Sequence, residues 1–145
     1  MSDDGGETPR APMQRTHGCL VVSLQIDLTD AVLRRFQQDL LERTRALQPK
    51  GIVLDISGLG LFDTHEFLAL RRAMDMARLM GCPTILVGMR PGVAASIAEL
   101  DVNCDELLTA RGFEEAISLL DRIHGGVPTQ EDAYADRRVS CADRS

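Results

Sequence analysis

Short apolar runs of strand length alternate four times along this chain with segments whose apolar residues recur at helical spacing. That alternation limits the available folds more than any other feature, because it specifies strand, helix, strand, helix from end to end. Residues 19–26 (CLVVSLQI) set Leu20, Val22, Leu24 and Ile26 against Val21, Ser23 and Gln25, a period of two that predicts a strand with one buried face. From Leu33 the period changes. Leu33, Phe36, Leu40, Leu41 and Leu47 share a helical stripe, opened by Thr29 or Asp30 as N-cap and closed by Pro49-Lys50-Gly51. Residues 52–56 (IVLDI) form a short β-branched run, as expected of a strand covered on both faces.

A second helix is predicted over residues 64–80, with Phe67, Leu70, Met74 and Ala77 on one stripe and Gly81 at its C-cap. Residues 84–87 (TILV) follow as a buried strand. Next come the turn Gly88-Met89-Arg90-Pro91-Gly92 and a short helix through Val93, Ile97 and Leu100. A weak strand at 107–109 precedes a last helix over 112–124, with Phe113, Ala116, Ile117, Leu120 and Ile123 on one face. The fold class is α/β: a single domain with one small sheet packed against about four amphipathic helices, joined by right-handed crossovers. Residues 1–15 and 125–145 lack apolar periodicity and are expected to be flexible tails, leaving the domain at 16–124.

Composition narrows the function. With 16 basic against 22 acidic residues the net charge is −6, and the basic residues are scattered. Such a chain cannot supply the counterion release that dominates nucleic-acid affinity, and aromatics at 3% offer little base stacking. No apolar run approaches the roughly 18 to 20 residues of a membrane span, and the N-terminal arm has no apolar core of a signal peptide. Cys19, Cys82, Cys104 and Cys141 lie far apart with no CxxC pair, as expected of reduced packing residues in a cytoplasmic protein.

In open α/β sheets, ligands and partners gather at the loops after the strands' carboxyl ends. Two loops are prominent there: residues 57–64 and 88–92. Gly58-Leu59-Gly60 begins like a dinucleotide fingerprint, but Asp63 occupies the third glycine position, where a carboxylate repels pyrophosphate. His65-Glu66 begins like a zinc-protease motif, but Ala69 stands where the second histidine belongs. No metal site, cofactor site or catalytic constellation is expected.

What remains is Asp63-Thr64-His65-Glu66 at the start of the second helix. Asp63 and Glu66 have the spacing of a capping box. Thr64 at N1 is also accessible to a kinase, and its phosphate would add roughly −1.5 to −2 charges between two carboxylates. The two readings are compatible. Leu61 and Phe62 are either a hydrophobic staple for the helix or partner-contact residues. Arg90-Pro91-Gly92 is either an ordinary turn with Pro91 near N1 or a partner-binding projection.

This arrangement resembles the STAS domain of anti-sigma factor antagonists, and within that superfamily the single-domain stressosome scaffolds of the RsbS type. The matching stretches are 19–25, 36–41, Asp63-Thr64, 76–81 and 87–94, together spanning about residues 17–123. The resemblance implies a non-enzymatic regulator that co-assembles with RsbR-like paralogues, as a homo- or hetero-oligomer, and holds an RsbT-like serine/threonine kinase. It implies that Thr64 is the phosphoacceptor and Asp63 its acidic neighbour. Two departures stand out: threonine replaces the serine of the RsbS type, and His65-Glu66 replaces small or apolar residues. A direct anti-anti-sigma factor and a STAS subunit of a transporter are the alternatives under the same resemblance.

Overall fold

The computed structural model describes residues 10–25, 27–60, 63–100 and 107–124. In chain order the elements are β1 (Met13–Thr16), β2 (Cys19–Ser23), α1 (Asp30–Leu47), β3 (Ile52–Asp55), α2 (Thr64–Leu79), β4 (Thr84–Val87), α3 (Pro91–Glu99), β5 (Leu108–Ala110) and α4 (Phe113–His124). The five strands form one sheet in the order β1-β2-β3-β4-β5. β2 to β5 are parallel and β1 is antiparallel to β2, so the sheet is mixed.

Strand order follows chain order, so each crossover from β2 onward steps one strand in the same direction. Right-handed crossovers then place α1, α2 and α3 on one face of the sheet. The larger core lies there. Ile52, Leu54 and Leu86 of the sheet meet Phe36 and Leu40 of α1, Phe67 and Leu70 of α2, and Val93 and Ile97 of α3. On the opposite face Cys19, Val53, Ile85 and Val87 pack under Ala116, Leu119 and Leu120 of α4. Successive residues of β3 and β4 therefore enter different cores, which is why three consecutive residues of each strand, 52–54 and 85–87, are apolar rather than alternating.

Three expectations change. β1 occupies Met13–Thr16 within the arm expected to be flexible through residue 15, and Ala11 is buried in the core. The turn joining it to β2 is His17-Gly18, both with positive φ (57° and 77°), the conformation that matches a tight hairpin to strand twist. The remaining tail residues, 1–9 and 125–145, lie outside the described residues. The first predicted strand ends early, at Ser23, although Leu24 remains fully buried. Ile123 is exposed, not buried. A helix of 12 residues is about 18 Å long, whereas a four-residue strand spans about 13 Å, so the last turn of α4 overhangs the sheet.

Cys19 and Cys82 are buried free thiols, while Cys104 and Cys141 lie outside the described residues. No described helix is long and apolar enough to cross a membrane.

Candidate functional site

The site is built where β2, β3 and β4 deliver their following segments to the same edge of the sheet. β3 ends at Asp55, whose Oδ1 accepts a hydrogen bond from Ser57 N at 2.9 Å and so turns the chain out of the strand. Leu59 is buried in the main core and anchors the loop that follows. Two neighbours hold that loop from outside. A Cβ on Gly58 would lie 2.5 Å from Gln25 Cγ, so the loop packs directly against the segment after β2. From the other side Arg90 Nη2 donates to Leu59 O at 3.0 Å.

That bond gives Arg90 a role sequence reasoning did not assign. Its side chain spans to the neighbouring loop and braces it, while Pro91 occupies N1 of α3 as a turn-former. Pro91 and Gly92 are exposed, as is residue 90 overall. At the end of β4, Gly88 has φ 77°, and a Cβ there would lie 2.8 Å from Asp55 Oδ1 and from Ser57 Cβ. Only a residue without a side chain lets the two loops approach this closely.

Thr64 begins α2 on this braced rim and is exposed. The capping box expected around it is present: Glu66 N donates to Asp63 Oδ1 at 2.7 Å, and Asp63 N donates to Glu66 Oε1 at 3.1 Å. The two carboxylates of the cap are thereby fixed within the turn that contains Thr64. Both sit at the positive end of the helix dipole, which stabilises their charge. His65 points elsewhere. Its Nε2 lies 2.7 Å from Oδ1 of Asp30, in the first turn of α1, so the starts of α1 and α2 are joined through a surface pair. Farther along, Gln37 Nε2 donates to Ala69 O at 3.2 Å and links the same two helices. The partner of His65 could not be read from sequence, because Asp30 and His65 are 35 positions apart and meet only when two helices share a sheet face.

Asp63, Thr64, His65, Glu66 and Arg90 are therefore brought to one edge of the molecule. Leu61 and Phe62, the other expected contact residues, lie outside the described residues. Among the described residues no group of three or more His, Cys, Asp or Glu side chains could hold a metal ion. What the edge offers chemically is an exposed threonine in the first turn of a helix whose cap holds two carboxylates.

The model of the STAS domain matches residues 10–116. The co-antagonist of RsbT named RsbRD, from Bacillus subtilis, is 28% identical over 110 residues; the match covers 76% of this chain but 39% of that protein's length. Among solved structures, RsbS of Moorella thermoacetica, in a form with a serine-to-glutamate substitution, superposes with a TM-score of 0.70 at 25% identity. That superposition covers 80% of this chain and 98% of the other. A chain of the stressosome, described as a signal integration and transduction hub, gives 0.68 at 27% identity and covers 77% and 97%.

Proposed function

The chain belongs to the STAS-domain family, and from that premise we propose that it is a non-enzymatic, RsbS-like scaffold or antagonist in a partner-switching stress or sigma-factor pathway. It binds and sequesters an RsbT-like serine/threonine kinase, assembles with RsbR-like paralogues in a large hetero-oligomer, and is switched by phosphorylation of Thr64. A cytoplasmic location fits this role. The observation that carries the reading is the exposed Thr64 at N1 of α2, in a turn capped by Asp63 and Glu66 and following the loop whose Leu59 is braced by Arg90.

The mechanism follows from charge. Unmodified, the edge presents Thr64 as a neutral group that a partner can cover. Phosphorylation adds roughly −1.5 to −2 charges beside Asp63 and Glu66, and a partner surface that tolerated two carboxylates must then accept nearly twice that charge. Each 1.4 kcal/mol of repulsion or lost contact weakens binding about tenfold, so a modest penalty releases the kinase. The helix itself is little disturbed, because anionic groups in the first turn are favoured by the dipole.

Affinity capture of the cognate kinase by wild type, Thr64→Ala and Thr64→Asp tests the switch. Wild type and Thr64→Ala retain the kinase, and Thr64→Asp weakens capture by about tenfold or more. Equal capture by all three would sink the release mechanism. Incubation with kinase and ATP adds one phosphate to wild type by intact mass and none to Thr64→Ala. In gel filtration with an RsbR-like paralogue, a particle much larger than a dimer supports the scaffold, whereas separate elution favours a direct anti-anti-sigma factor.

A further inference from the structure

The side of α1 and α2 turned away from the sheet carries a second surface. Large apolar side chains are exposed at four positions among the described residues, and three of them, Leu68, Leu79 and Met80, belong to α2 and its C-cap. Leu79 is 85% exposed, the most of the four. Helical spacing sorts these residues into rows. Leu68, Arg72 and Leu79 stand at i, i+4 and i+11 and are all exposed, so they form one solvent-facing row. Ala69, Met76 and Met80 stand at i, i+7 and i+11, and Gln37 of α1 donates to Ala69 O at 3.2 Å, so this second row borders α1.

α1 answers with a row of its own. Arg34, Gln38, Leu41 and Arg45 recur at i, i+4, i+7 and i+11, and all but the half-buried Leu41 are exposed. Both helices follow parallel strands and so run side by side in one direction. Between their outer rows lies a furrow, with the half-buried Leu41 and Met76 inside it and Leu68 and Leu79 along its rim. From Leu68 to Leu79 it is about 16 Å long, three turns of helix. Apolar side chains left in water in a row, rather than singly, mark a surface that another molecule covers.

Charge indicates what covers it. The chain has 16 basic against 22 acidic residues, yet the fold gathers Arg34, Arg45 and Arg72 around this furrow. No ion pair ties any of the three to a carboxylate among the described residues. The nearby acids are Glu42, one turn from Gln38 on α1, and Asp75, whose Oδ1 lies 3.5 Å from Arg71 Nε. A cationic rim around an apolar furrow suits an occupant that is acidic on its flanks and apolar along one stripe. A helix has that form: laid along two others, it sets an apolar stripe between them and its flanking charges against theirs. Because Leu41 and Met76 sit between the helices rather than proud of them, the surface fits a convex rod better than a flat bilayer. We propose that the outer furrow of α1 and α2 docks an acidic amphipathic helix of a partner protein, its apolar stripe on Leu41, Leu68, Met76 and Leu79 and its carboxylates on Arg34, Arg45 and Arg72. The furrow begins one turn beyond Thr64, uses no residue of that edge, and does not rest on the kinase-binding reading.

Amide chemical shifts of the full-length chain, titrated with a capped peptide of about 18 residues built from Leu, Ala and Glu, test the proposal. Its leucines lie on one helical stripe with glutamates on both flanks. The comparators, at equal ionic strength, are a peptide of the same composition with its leucines spread around the helix, a peptide with Lys for every Glu, and vesicles of phosphatidylcholine and phosphatidylglycerol. The acidic amphipathic peptide should shift the amides of Leu41, Arg45, Leu68, Arg72, Met76 and Leu79 saturably, and both other peptides should bind at least about tenfold more weakly. The double variant Arg45→Glu/Arg72→Glu, changed only at exposed positions, should lose about tenfold or more for the acidic peptide and gain affinity for the Lys peptide. Leu79→Gln should weaken the acidic peptide without moving the urea midpoint. Non-saturating shifts, equal binding of either comparator peptide, or unchanged affinity in the folded double variant would each overturn the proposal. Sedimentation of the chain with the vesicles in the absence of any peptide response would overturn it in favour of a lipid surface.

Discussion

At the scale of single residues, the two buried thiols show how environment changes a group whose chemistry is otherwise ordinary. Burial pushes the Cys82 thiol above its ordinary value of 9.0. Burial does the same at Cys19, opposed by the Lys50 charge and reinforced by Asp121. Lys50 is itself raised above 10.5, mainly through its hydrogen bond to Asp121 at 3.0 Å. All three shifts have the same sign. A folded-state value raised above the unfolded one gives stability that is complete below the unfolded value and declines as pH rises through the folded one. The thiols therefore act from pH 9.0 upward and Lys50 from 10.5. Urea midpoints measured at about pH 7 and about pH 10 should fall for wild type and fall less for Cys19→Ala/Cys82→Ala. An equal fall would remove the thiols as a source of the alkaline loss. The same burial slows thiol modification in the native state, since the thiolate is the reactive form.

At the scale of elements, α2 carries the most information, because its first turn holds Thr64, the proposed phosphoacceptor. Its start is fixed by two devices of unequal strength. The capping box satisfies the backbone N–H of Glu66 and the backbone N–H of Asp63, groups that otherwise lack partners at a helix end. The His65–Asp30 pair is short, at 2.7 Å, but its side chains are 68% and 70% exposed, so solvent screening leaves it little net value. Asp63→Ala should cost about 1 kcal/mol of unfolding free energy, and His65→Ala less than about 0.5 kcal/mol. Denaturant unfolding of the two variants checks the order. If His65→Ala proves the more damaging, the junction of α1 and α2 rests on that histidine rather than on the cap. Asp63 and Glu66 were legible because a capping box is local, three residues apart. The brace from Arg90 to Leu59 was not, because it joins loops 31 positions apart.

At the scale of the whole molecule, the strand most easily overlooked closes the sheet. β1 is MQRT, with Gln14 and Arg15 exposed, so it has no apolar alternation to betray it. It is held instead by backbone pairing, which every sequence can make, and by Ala11 and Met13 packing against the main core. Without it β2 becomes an edge. A fragment beginning at residue 17 should be less stable by at least about 2 kcal/mol than one beginning at residue 10, and should associate through the bared edge. Urea unfolding and light scattering distinguish them. Equal stability of both fragments would make β1 an ornament of the fold.

The alternation of strand and helix periods was determined by the sequence alone, since each period is a local consequence of backbone geometry. So were the N-cap at Asp63 and the glycine stop at Gly81 beyond α2, with φ 93°, whereas the choice of Thr29 over Asp30 as the cap of α1 came from the structure. The exclusion of recognisable catalytic and nucleotide-binding motifs was likewise a matter of spacing along the chain. Tertiary structure decided which helices share a face, and hence that Thr64, Arg90, His65 and Asp30 occupy one edge. It also left the hydroxyl of Thr84, in the buried strand β4, without a hydrogen-bond partner among the described residues. The physical reason is range. Periodicity and capping act within a few residues, while the contacts that assemble this edge join residues 30 or more positions apart, and only the folded sheet brings them together.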